Sequence, residues 1–99
     1  MLFVLLGFDR DGSLETRLAA RSGHLARLAQ LQNEARLVVG GPMPRHAIAS
    51  LPDAGFTGTL LVAEFPTIDA ARSWLADDPY VKAGVFARTE VYPFVQARF

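Results

Sequence analysis

Apolar and polar positions follow two different periods along this chain, and the switches between them mark its elements. Leu2-Phe3-Val4-Leu5-Leu6-Gly7-Phe8 is apolar throughout. Such a run has the length of a strand rather than a helix, and its lack of polar alternation means that both faces are covered. Asp9-Arg10-Asp11-Gly12-Ser13 reads as a turn with Ser13 as an N-cap. From Leu14 to about Asn33 the period becomes helical, with Leu14, Leu18, Leu25 and Leu28 on one stripe. Gly23 interrupts this run at a cost of about 1 kcal/mol relative to alanine. Arg21-Ser22-Gly23 is therefore read as a kink, or as a break with Ser22 capping a second helix.

Leu37 to Pro42 reads as a second strand ending at the proline, followed by an irregular connection from Met43 to Gly55. Thr57 to Phe65 is the third strand. Pro66-Thr67 opens a helix over Ile68 to Ala76 that buries Ile68, Ala71, Trp74 and Leu75. Asp77-Asp78-Pro79 stops it, because a residue before proline is driven out of the α region. Gly84 to Phe94 alternates as a fourth strand. The order β-α-β-β-α-β is the ferredoxin-like, split βαβ pattern, an α+β fold with both helices on one sheet face. The open face is expected to pack on the sheet of a second copy.

Composition sharpens this picture. The chain has 99 residues, so one domain spanning 1–99 is expected. An apolar content of 51% is high for a lone domain of this size and points to a second buried surface, a homodimer through the open face. Ten basic residues balance ten acidic ones, and Lys82 is the only lysine. With no basic run, nucleic acid is not an expected partner. The chain has no cysteine, which excludes disulfides and thiolate metal sites. The apolar N-terminus is too short to span a bilayer and lacks a charged leader, so no membrane association and a cytoplasmic location are expected.

The candidate chemistry lies in two distant segments. His24 shares a row with Leu28 and Leu31, which turns it toward the body of the protein. Arg21, one turn earlier, is a guanidinium on the leucine stripe and needs an anion there. That anion is either a substrate carboxylate or an internal aspartate. Asp78 is the best internal candidate, with Asp77 solvated. An aspartate on one ring nitrogen would orient the imidazole and leave the other nitrogen for proton transfer. Gly41 and Pro42 end a strand where missing side chains allow a ligand to approach the backbone. Tyr80 either donates to a ligand or fills the core. Phe56 and Trp74 are assigned to the core and His46 to solvent. His24 and His46 make no metal motif, and no metal or cofactor is expected.

Arg21-x-x-His24-Leu25, Gly40-Gly41-Pro42-Met43-Pro44, Gly55-Phe56-Thr57-Gly58, Asp78-Pro79-Tyr80-x-x-Ala83-Gly84 and Val91-x-Pro93-Phe94 occur in the order and approximate spacing of the YCII-related (YciI-like) proteins. The chain resembles that family over almost its whole length. The resemblance implies a dimeric α+β barrel, an active site on His24 and Asp78, and a commonly basic position at Arg21. One relative acting in chloroaromatic breakdown is similar to a dehydrochlorinase of chlorinated hydroxyquinols, and muconolactone isomerases share the fold. The function so implied is a cofactor-independent lyase or isomerase acting on a small anionic or hydroxylated ring compound. The alternative is a non-catalytic dimeric module that binds a small anion in the same pocket.

Overall fold

The structure, a computed structural model, describes residues 1–47 and 55–99. Its elements are β1 (Leu2–Asp9), α1 (Leu14–Asn33), β2 (Leu37–Pro44), β3 (Phe56–Glu64), α2 (Ile68–Ala76), α3 (Pro79–Lys82) and β4 (Phe86–Phe94). The split βαβ order is present, with the short α3 added between α2 and β4. The fold is α+β, with an antiparallel four-stranded sheet in the order β2-β3-β1-β4. The most apolar strand, β1, is central, where it pairs on both sides. Residues 48–54 of the expected connection lie outside the described residues.

Register explains how one sheet face is sealed. Phe3 pairs with Ala63 and Leu5 with Leu61, and all four are buried. Leu28 and Leu31 of α1 and Leu75 of α2 join the same core. The other rows of β1, Leu2, Val4 and Leu6, are only half-buried in this chain. Full coverage on both faces is thus not achieved within one copy.

Four boundaries differ from expectation, each for a physical reason. First, α1 runs unbroken through Gly23. A Cβ there would lie 3.1 Å from Pro79 Cγ, so this glycine serves the close approach of α1 to α3 rather than a kink. Second, the inward face of α1 is not the leucine stripe. Arg17, His24, Leu28 and Leu31 are buried, whereas Leu18 and Leu25 are exposed. At 3.6 residues per turn, Leu14, Leu18 and Leu25 sit roughly 90° around the helix from that buried row. Third, β2 continues past Pro42 to Pro44. It is an edge strand, where a missing N–H costs no interior ladder bond. Fourth, Asp78 both ends one segment and begins another. Its side chain accepts the Tyr80 N–H and Pro79 takes the first helical position of α3.

The two other helix starts behave differently. Thr67 accepts the Ala70 N–H at 3.1 Å, whereas Ser13 stands at the cap position of α1 with no side-chain cap bond. Thr67→Ala is expected to cost about 1 kcal/mol in urea denaturation, and Ser13→Ala less than about half that. Equal losses at the two positions would contradict the capping geometry.

Candidate active site

Two buried polar pairs lie along α1, one joining it to the start of α3 and the other joining it to the sheet. In the first, His24 Nδ1 lies 3.1 Å from Asp78 Oδ1 and 3.0 Å from Oδ2. The two side chains are 6% and 1% exposed, so each removes the other from an otherwise costly environment. Asp78 Oδ1 also accepts the Tyr80 N–H at 2.9 Å, and Arg27 Nη1 donates to Oδ2 at 3.3 Å. Burial alone pushes the Asp78 carboxyl up. The hydrogen bonds from His24 and the Tyr80 amide, with the nearby charges of His24 and Arg27, outweigh burial and hold it below its ordinary value. An ionised carboxylate only accepts, so the network assigns the proton to Nδ1. In the neutral imidazole, Nε2 is then the basic nitrogen.

The second pair was not anticipated. Arg17 donates from Nε to Asp9 Oδ2 at 2.8 Å and from Nη2 to Asp9 Oδ1 at 2.9 Å. Its Nη2 also donates to Thr59 Oγ1 at 2.7 Å. The guanidinium lies over the rings of Phe56 and Tyr80, at 4.8 and 4.6 Å from their centroids. Fork geometry with aromatic faces on a buried arginine is the arrangement that guanidinium, and not ammonium, supports. The signal was present as the spacing Arg17–His24–Leu28–Leu31, and it was hidden by the more conspicuous leucines.

A cavity of about 160 Å³ opens onto both pairs. Voids of about this size hold a single six-membered ring. His24, Arg17 and Thr59 are among its polar lining residues, and Phe56, Leu25 and Pro42 among its apolar ones. Neither His24 Nε2 nor Arg17 Nη1 has a hydrogen-bond partner among the described residues, and no buried side-chain nitrogen or oxygen there is left orphaned. His24 and Arg17 both line the cavity. A second cavity of about 170 Å³ at the start of α1 does not have His24 in its wall, so the chemistry singles out the first.

Arg21, His24, Gly41, Pro42 and Tyr80 all line the cavity, and Asp78 stands behind His24. Arg21 is exposed rather than in the buried row, where the arginine is Arg17. Tyr80 is fully packed, and its ring stacks on His24 at 4.2 Å. Burial raises its hydroxyl above the ordinary value despite the opposing charges of Arg17 and Arg21. Phe56, assigned to the core, is a cavity wall under Arg17. Trp74 packs against the core as expected, and His46 and Asp77 are exposed. Among the described residues, no group of His, Asp or Glu is placed to hold a metal, and no helix is long and apolar enough to cross a membrane.

The site can be set beside known proteins. The YCII-related domain family matches residues 1–95. An uncharacterized protein of Haemophilus influenzae is 48% identical over 94 residues, 95% of this chain and 96% of that protein. Protein YciI of Escherichia coli is 47% identical with the same coverage. Among solved structures, the 5-chloro-2-hydroxyhydroquinone dehydrochlorinase TftG of Burkholderia phenoliruptrix AC1100, in complex with 2,5-dihydroxybenzoquinone, superposes with a TM-score of 0.87 at 35% identity. That match covers 98% of this chain and 96% of TftG. A NIPSNAP domain protein of Burkholderia xenovorans, at 16% identity and a TM-score of 0.51, shares the fold alone.

Proposed function

Because the chain belongs to the YCII-related domain family, we propose that it is a lyase or isomerase that moves protons on a small hydroxylated or anionic ring compound, with His24 and Asp78 as its acid–base pair. The observation that carries this reading is the imidazole itself. Its Nδ1 is held by a buried carboxylate, and the imidazole lines a ring-sized cavity together with the Arg17 guanidinium. Proton transfer needs a base within reach of the acidic hydrogen, and it needs a cation where negative charge gathers on oxygen. His24 supplies the first and Arg17 the second, with Asp9 and Thr59 keeping Arg17 in place.

On a chlorinated hydroxyhydroquinone, Nε2 of His24 takes a ring-hydroxyl proton while Arg17 holds the developing oxyanion. The electron pair left on oxygen moves into the ring, and the carbon bearing chlorine takes up a proton. Loss of a second hydroxyl proton then expels chloride with its bonding pair. The sum is loss of one HCl and formation of a hydroxyquinone, so no external oxidant or reductant enters. Isomerisation of an unsaturated ring acid uses the same two roles without a leaving group. TftG, the dehydrochlorinase relative, supports the halogenated class.

The reading includes a homodimer in the cytoplasm. A second copy on the open sheet face would cover the half-buried Leu2, Val4 and Leu6 together with the exposed Val39 and Tyr92.

Chloride release from 5-chloro-2-hydroxyhydroquinone, followed with an ion-selective electrode, tests the function. Release by the native protein well above the buffer rate, dependent on His24, is expected. Saturable binding of this compound and of hydroxylated ring acids, with no chloride release or proton transfer from any of them, would instead establish the non-catalytic binding module.

A further inference from the structure

We propose that Arg27 is a positioning residue for the acid–base pair: its guanidinium, laid on Trp74, holds one oxygen of Asp78 so that the carboxylate stays square to His24. The inference rests on the reading of His24 and Asp78 as the reacting pair and adds a residue that does not itself reach the cavity.

A buried carboxylate needs donors for its lone pairs. Asp78 is 1% exposed, so water does not satisfy its oxygens. Oδ1 is fixed by the Tyr80 N–H at 2.9 Å, and His24 Nδ1 lies almost equidistant from both oxygens. Oδ2 has one further donor among the described residues, Arg27 Nη1 at 3.3 Å. The Tyr80 amide and Arg27 thus flank the imidazole, one on each oxygen. Remove the Arg27 side, and the carboxylate is free to turn about its Cβ–Cγ bond and to meet His24 through one oxygen only. At 3.3 Å the contact is at the long end of the hydrogen-bond range. Its effect therefore lies in direction and charge more than in bond strength.

Arg27 has its own anchor. Its guanidinium carbon lies 4.0 Å from the Trp74 ring centroid, which fixes the plane of the fork. The side chain is 23% exposed, so it closes the solvent side of an otherwise dry pair. Three elements meet here: α1 carries His24 and Arg27, α2 carries Trp74, and Asp78 caps α3. Arg27 is one turn beyond His24 on the same helix, so the spacing of base and clamp is set by helix geometry.

Arg27→Met keeps an apolar stem on Trp74 and removes the charge and the donors. Arg27→Lys keeps the charge. In the chloride-release assay, Arg27→Met should lower kcat about tenfold to hundredfold, the scale of misplacing a reacting group, with KM within about twofold. Arg27→Lys should recover a large part of that loss. Independently of any substrate, the His24 Nδ1–H proton resonance should be sharp in the native protein and broadened by solvent exchange in Arg27→Met. Near-native thermal melting and the Lys variant guard against simple unfolding. Native kcat together with a native Nδ1–H resonance in Arg27→Met would overturn the proposal. If the native protein releases no chloride, the lyase reading fails, and the resonance alone still decides the role of Arg27.

Discussion

His24→Ala should reduce turnover of a hydroxylated ring substrate by about 10²–10⁴-fold, the range that general acid–base groups contribute. The loss falls on kcat, because the groups expected to hold the ring remain. Arg17 keeps its contacts to Asp9 and Thr59, and Phe56 and Pro42 still line the cavity. KM is therefore expected to change little. The substitution also opens space beside Tyr80, whose ring loses the imidazole stacked at 4.2 Å. Small imidazoles added to the assay should occupy that space and restore part of the rate. A His24→Ala protein that turns over substrate within about twofold of native would remove the imidazole from the mechanism altogether.

The second large effect is on stability. Asp78→Ala takes away the acceptor for His24, the Tyr80 amide and Arg27 together, at a position almost without solvent. Breaking a buried pair from one side costs about 3–5 kcal/mol, a large share of the net stability of a small domain. Denaturant midpoints of native and variant protein measure it, and a loss under about 1 kcal/mol would mean that the pair is not holding α3 to α1. Asp78→Asn separates charge from shape. An amide nitrogen can donate to Nδ1, which moves the ring proton to Nε2 and destroys the base. That variant should melt closer to native than Asp78→Ala while losing activity comparably to His24→Ala.

The same carboxylate sets a pH dependence. Its folded-state pKa lies below the ordinary value, so its contribution is present above the unfolded pKa, about 3.9. It is lost as pH falls through the lower, folded value. The stability difference between native and Asp78→Asn should therefore be constant near neutrality and shrink below about pH 4. A difference independent of pH down to complete acid unfolding would contradict an ionised Asp78.

Periodicity made the architecture legible because its strongest signals coincide with burial. Leu2 to Phe8 has strand length, and Ile68 to Ala76 is bounded by a threonine cap and an Asp-Pro stop. Gly23 reads as a kink in sequence because a local propensity cost looks the same whether it reflects flexibility or a close tertiary contact, and here the contact is Pro79 on α3. Pro42 misled for a similar reason, since the edge position of β2 is a property of the whole sheet. In the site, the motifs around His24 and Asp78 carried the pairing. A buried arginine such as Arg17 is recognisable only through its partners, and one of them, Thr59, lies 42 residues away on β3. Arg21 was conspicuous in the motif, yet it is exposed.

The most direct measurement is a crystal structure of the protein soaked with 2,5-dihydroxybenzoquinone, the compound bound by TftG. The ring should lie in the cavity between Phe56 and Pro42, one oxygen within hydrogen-bond reach of His24 Nε2 and another oxygen beside Arg17 Nη1. A ring bound outside this cavity, with His24 and Arg17 left untouched, would contradict the account.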